Sequence, residues 1–142
     1  MIDNAFLNGA AYIKGRYMPF AEATIPVTDW GFTRSDVVYD VVHVWQHSFF
    51  RLEDHLDRFA ASMAKRQLAI AEDRAQLVDV LHRCVALSGL ADAFVAMVAT
   101  RGKPRIYGSR RPADCENYLI AYAIPFVQVL ALPVHPVGMV RA

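Results

Sequence analysis

The chain changes rhythm at Leu52. Before it, apolar residues come in short runs with a period near two, the spacing of strands that bury one face. Residues 5–20 predict short strands, with Asn8-Gly9 as a strong hairpin-turn dipeptide and Lys14-Gly15 as a weaker one. Ala21 to Thr28, with Pro26 inside it, reads as a connection, and Asp29-Trp30-Gly31-Phe32 as a turn or one helical turn. Val37 to Gln46 is the clearest strand, because Val37, Val38, Tyr39, Val41, Val42, Val44 and Trp45 are β-branched or aromatic. Asp40 and His43 interrupt it. His47-Ser48 then reads as a turn into a short strand at Phe49-Phe50-Arg51.

From Leu52 the period becomes 3.6. Leu52, Leu56, Phe59, Ala60, Met63 and Gln67 or Leu68 fall on one helical face. A second helix is predicted from about Asp73 to Leu87, burying Leu77, Val80, Leu81 and Cys84, with Gly89 as its stop. Phe94 to Thr100 returns to strand, residues 101–116 form a loop, and Tyr118 to Val129 is a final strand-like run. No internal repeat appears. Leu130 to Ala142 carries prolines and no periodicity, as a linker or an early end would. The order predicts an α+β domain over residues 1–129: an antiparallel sheet with two helices packed on one face. Alternating βαβ units are missing, which argues against a doubly wound fold. Apolar residues appear on both strand faces, so something is expected to cover the second face.

Composition sharpens this. Of 142 residues, 55% are hydrophobic and 20% charged, too apolar for a disordered chain. The excess implies surface buried by a partner, another subunit or a further domain. Fifteen Lys and Arg against fourteen Asp and Glu give a formal charge of +1, without the basic surplus of a nucleic-acid binder. No apolar run reaches the roughly 18 residues of a membrane span. Residues 119–134 come closest and are broken by Pro125, Gln128 and Pro133. Met1-Ile2-Asp3-Asn4 has no signal-peptide pattern. Cys84 and Cys115 form no disulfide framework and no metal spacing, so a reduced, cytoplasmic protein is expected.

Candidate chemistry is sparse. Thr100-Arg101-Gly102-Lys103 lacks the spacing of a phosphate-binding loop, and histidines 43, 47, 55, 82 and 135 show no metal-ligand pattern. Ser35-Asp36 with His43 supports no triad. Arg58 is more informative, since it sits beside the apolar face of its helix, next to Phe59. Two readings stay open: a structural ion pair or snorkelling surface arginine, and a bidentate phosphate clamp. In the cationic loop 101–111, Arg105 and Tyr107 alternate with strand-like spacing, which would aim both at one anion. Tyr39 reads as a ring buried in the valine-rich strand, its hydroxyl bonded to backbone.

Taken together, the segments resemble the N-terminal domain of the fold-type IV, pyridoxal-phosphate-dependent aminotransferases, a group that includes branched-chain, D-amino-acid and R-selective amine transaminases. The matching stretches are Asn8-Gly9 in the first hairpin, Asp29-Trp30-Gly31-Phe32, Ser35-Asp36-Val37-Val38-Tyr39-Asp40, Phe50-Arg51-Leu52 with His55-Leu56-Asp57-Arg58, and Val98-Ala99-Thr100-Arg101-Gly102. Ser35-Asp36 and His43-Val44-Trp45 are closer to the amine-transaminase branch, and Arg105 with Tyr107 to the D-amino-acid branch. The resemblance implies that Arg58 holds the cofactor phosphate and that Tyr39 and Val41 line the substrate pocket. It further implies that Arg34 faces the pocket mouth, where it could recognise a carboxylate. Arg105 and Tyr107 would help to trap the substrate carboxylate, often in the neighbouring subunit of a dimer.

The implied activity is amino-group transfer between an amine or amino acid and a 2-oxo acid, with pyridoxal 5'-phosphate as cofactor. The lysine that forms the Schiff base, and the acidic residue at the pyridine nitrogen, lie in the family's second domain. Lys14, Lys65 and Lys103 match neither. The chain is therefore expected to act only with a second half, as a homodimer or joined to its own C-terminal part, with residues 130–142 as the link. The alternative is a non-catalytic module that dimerises or binds a small anion.

Overall fold

The computed structural model describes residues 4–127. The expected tail at 130–142, and the end of the last predicted strand, lie outside them. Among the described residues nine regular elements follow one another: β1 (Ala10–Ile13), β2 (Arg16–Pro19), α1 (Trp30–Thr33), β3 (Val37–Trp45), β4 (Ser48–Phe49), α2 (Leu52–Arg66), α3 (Arg74–Ser88), β5 (Ala93–Thr100) and β6 (Tyr118–Pro125). Short 3-10 turns at Asn4–Phe6, Phe20–Glu22 and Pro112–Asp114 connect some of them. The strands form one six-stranded sheet in the order β2-β1-β6-β5-β3-β4, antiparallel throughout.

The helices begin and end where local chemistry dictates. In α3 the Asp73 carboxylate accepts from Gln76 N while the Gln76 side chain accepts from Asp73 N, and Gly89 closes the helix in the left-handed region. Arg51 and Gln67 bracket α2, both with positive φ. Two acidic residues, Glu53 and Asp54, open α2, and Lys65 and Arg66 end it, each sign matched to the helix dipole.

The core lies between the sheet and the two long helices. Leu56 and Phe59 of α2 and Leu77, Leu81 and Cys84 of α3 pack on Val42, Val44, Val95, Met97, Leu119 and Ala121. Burial pushes the Cys84 thiol up to about 12, as suits a cysteine used for packing. The alternate row, with Tyr39, Val41, Phe94, Val98, Ile120 and Ile124, turns to the opposite face and stays partly exposed. Both faces are thus apolar, as the sequence predicted.

Three local expectations are corrected. The first hairpin turns at Lys14-Gly15, not at Asn8-Gly9: both turn residues have positive φ, as a two-residue type I′ turn requires, and Ile13 pairs with Arg16. Asn8-Gly9 instead leads into β1, with Asn8 N donating to Ser88 O and Gly9 O accepting from Phe20 N. The second hairpin turns at Gln46-His47 rather than His47-Ser48, again with two positive φ angles. Ala60 is exposed, because the stripe through Leu52, Leu56, Phe59 and Met63 already meets the sheet and Ala60 falls at its edge.

Candidate anion site

The site starts from a parity in β3. Val38, Val42 and Val44 face the helices, so Asp40, between them, delivers a carboxylate into the apolar layer. Its side chain is 3% exposed. An unpaired charge there is costly, and α2 supplies the partners. His55 and Arg58, three residues apart, share a helix side. Arg58 Nε lies 2.6 Å from Asp40 Oδ2 and Nη2 lies 3.0 Å from Oδ1. His55 Nδ1 lies 2.7 Å from Oδ1, and Val41 N donates to the same oxygen at 2.9 Å. Burial alone would raise the Asp40 carboxyl, but the bonds from Arg58 and His55 outweigh it and hold the group below the usual carboxylate range.

Asp40 occupies one edge of the guanidinium only. The Arg58 side chain is 68% exposed. It lines an open cavity of about 410 Å³ with Phe50, Arg51, Asp54 and His55. Among the described residues nothing accepts a hydrogen bond from Nη1. Arg51 and Asp54 pair with each other at the rim, at 2.6 Å. A fixed, always-charged planar donor in the wall of an open cavity fits a phosphate-sized anion. Of the two readings of Arg58, the geometry shows the ion pair, and that pair fixes the direction of the open edge. Among the described residues no cluster of His, Cys, Asp and Glu could hold a metal ion.

The other candidates lie elsewhere. Tyr39 is 70% exposed, which overturns the expectation of a buried ring: with Asp40 facing the helices, its neighbour must face away. Val41 shares that outer face. Arg34 follows α1 and stacks on the Trp30 ring, 3.6 Å from its centroid. Arg105 is exposed, with Nε 3.6 Å from Glu116 Oε2, and Tyr107 is fully exposed. Their expected strand-like alternation is absent, because the chain bends at Arg105-Ile106 and turns at Tyr107-Gly108. None of these five lines the cavity of Arg58. Arg101 also leaves the cationic loop set: it is buried, its guanidinium bonded to Asp36 and to the carbonyls of Arg66 and Gln67.

Sequence reasoning missed Asp40 and His55 as site residues, and missed a second buried carboxylate. Asp29 accepts from Gly31 N at 2.7 Å, from Thr100 Oγ1 at 2.6 Å and from the Tyr118 hydroxyl. A Cβ on Gly31 would lie 1.9 Å from Thr100 Oγ1, so the motif Asp29-Trp30-Gly31 is fixed by close packing of α1 on β5. For Asp40 the available signal was a charged residue at an inward strand position.

Residues 37–137 match the family model described as amino-transferase class IV. The chain belongs to the class IV aminotransferases. A D-alanine aminotransferase of Listeria monocytogenes is 35% identical over 81 residues, 57% of this chain and 28% of the relative. Among solved structures, the branched-chain amino acid aminotransferase of Escherichia coli superposes with a TM-score of 0.76 at 16% identity, over 86% of this chain and 41% of that one. The branched-chain enzyme of T.th., complexed with N-(5'-phosphopyridoxyl)-L-glutamate, gives 0.74 at 18% identity, over 84% and 41%. This class IV aminotransferase chain thus spans well under half the length of these relatives. The matched stretch contains Tyr39, Asp40, His55, Arg58, Arg105 and Tyr107, and leaves out Arg34.

Proposed function

We propose that this chain provides the phosphate-gripping domain of a pyridoxal-phosphate-dependent aminotransferase. The enzyme would move an amino group between an amine or amino acid and a 2-oxo acid. The observation that carries the reading is the Arg58 guanidinium, held by a nearly buried Asp40 and presenting a free edge to a cavity. Arg58 would hold the cofactor phosphate through charge-assisted hydrogen bonds. Tyr39 and Val41 would form a wall of the substrate pocket, and Arg34, Arg105 and Tyr107 would receive substrate carboxylate. When bound, pyridoxal phosphate supplies the electron sink for bond cleavage at the amino-bearing carbon.

The lysine and the acidic partner of the pyridine nitrogen would come from a second domain, like those that the longer relatives have room for. Lys14 sits in the β1–β2 turn over the Tyr118 ring, 4.4 Å from its centroid, and no lysine lines the Arg58 cavity. The partly exposed outer sheet face, with Tyr39 and Trp45, supports docking of that domain or of a second subunit, and we place the assembly in the cytoplasm as a homodimer. Among the described residues no helix is long and apolar enough to cross a membrane. The test is a polypeptide that joins this chain to such a second domain. It should take up pyridoxal phosphate with a shifted absorbance band and convert an amino donor and a 2-oxo acid. Cofactor uptake without either product would leave only anion binding, and no uptake would refute the reading.

A further inference from the structure

One nitrogen of the Asp40 cluster is left unused. A carboxylate held ionised only accepts hydrogen bonds, so the contact from His55 Nδ1 to Asp40 Oδ1, at 2.7 Å, requires a proton on Nδ1. The charge of the ring is then decided at Nε2 alone, and among the described residues no hydrogen bond engages that atom. The His55 side chain is 22% exposed and lines the same cavity as Arg58.

The local charges can be named. From β3, Asp40 is the one charged residue on the helix-facing row. From α2 and the residue before it come Arg58, Arg51 and Asp54. Glu53 and Asp57 of the same helix are engaged by Arg74 of α3. Asp40 offsets Arg58, and Asp54 offsets Arg51, so the cavity wall is near neutral while His55 is neutral. A dianion entering it brings two negative charges and meets one committed donor, Arg58. Adding a proton from solvent at Nε2 supplies both a charge and a second N–H.

We propose that His55 is a second, proton-dependent donor for the dianionic group that Arg58 binds. Anion entry draws a proton to Nε2, and the imidazolium then grips the anion beside the guanidinium. This rests on the reading of Arg58 as a phosphate donor. Linkage is reciprocal: if the anion raises the proton affinity of His55, the proton raises anion affinity by the same factor. Affinity is therefore high at low pH and lost as pH rises through the range in which histidines titrate.

Inorganic sulfate is the suitable probe, because it stays a dianion throughout that range, so any slope belongs to the protein. The measurement is NMR titration of the 142-residue chain with sulfate from about pH 5.5 to about pH 8.5. Affinity should fall roughly tenfold across it, an ordinary coupling between two sites. His55→Asn retains an N–H toward Asp40 but loses the titrating ring, and its affinity should be flat. In the unmutated chain, saturating sulfate should raise the titration midpoint of the His55 ring and leave those of His47 and His82 in place. A flat wild-type profile, a slope that survives in His55→Asn, or an unmoved His55 midpoint would overturn the proposal. Sulfate binding that Arg58→Ala abolishes but that shows no slope removes only the role of His55. Absent binding, or binding indifferent to Arg58→Ala, removes the phosphate reading as well.

Discussion

Two arginine–aspartate pairs tie α2 to β3 and the residues before it, one from within the helix and one at its C-terminal end, and they use the same fork differently. Arg101 meets Asp36 just before β3 through Nε at 2.8 Å and Nη2 at 3.2 Å, and spends its other donors on Gln67 O and Arg66 O at the end of α2. Its side chain is 8% exposed. Arg58 meets Asp40, within β3, through the same two nitrogens, but its side chain is 68% exposed and its remaining edge faces a cavity. Pairing alone therefore does not tell a strut from a binding group. What differs is where the unspent donors point: into the chain's own carbonyls, or into open space.

The comparison can be broken by mutation. Arg101→Ala should be the most damaging of these changes. It leaves Asp36 with only the longer 3.8 Å ion pair to Arg66 and leaves two helix-end carbonyls without their donor, and loss of one partner of a buried pair costs about 3–5 kcal/mol. Equilibrium denaturation should show this, with a much smaller loss for Arg58→Ala. Equal losses would mean that both arginines are struts. Arg101→Lys should recover part of the loss and remain about 1–2 kcal/mol below wild type, because an ammonium cannot serve the carboxylate and both carbonyls together.

The smallest effect concerns acid. In the folded chain the Asp40 carboxyl sits below its ordinary value. The stability this contributes is present above about pH 4, the unfolded range of aspartate, and is lost as pH falls through the folded value. Asp40→Asn should flatten that acid limb slightly in pH-dependent melting. An unchanged limb would show that Asp40 is not held by Arg58 and His55 in solution.

Much of the frame was legible in the sequence. The switch of period at Leu52, the apolar repeat through Leu77, Val80, Leu81 and Cys84 and the Gly89 stop are local signals, and they placed both helices. The hairpin turns were harder. Lys14 and Gln46 are poor turn residues by preference, and strand register overrides that preference. The candidate anion site hinged on one parity. A charged residue in a valine-rich strand looks like an interruption, yet Asp40 faces the helices, and that choice turns Tyr39 outward. Arg58 could be singled out because it borders an apolar helical face. The carboxylate that orients it comes from 18 residues away, and only the packing of α2 on β3 brings them together. Arg101 looked like one more loop cation for the same reason: its partners are distant in sequence.

The central claim is that Arg58 is an oriented anion donor rather than a strut. The most direct test compares the affinity for pyridoxal 5'-phosphate with that for pyridoxal, which lacks the phosphate, in a polypeptide joining this chain to a second domain. Wild type should favour the phosphorylated compound strongly. Arg58→Ala should cut that preference roughly 10- to 100-fold, with Arg58→Lys recovering only part of it. If Arg58→Ala keeps the full preference and merely lowers the melting temperature, the account of this site is wrong.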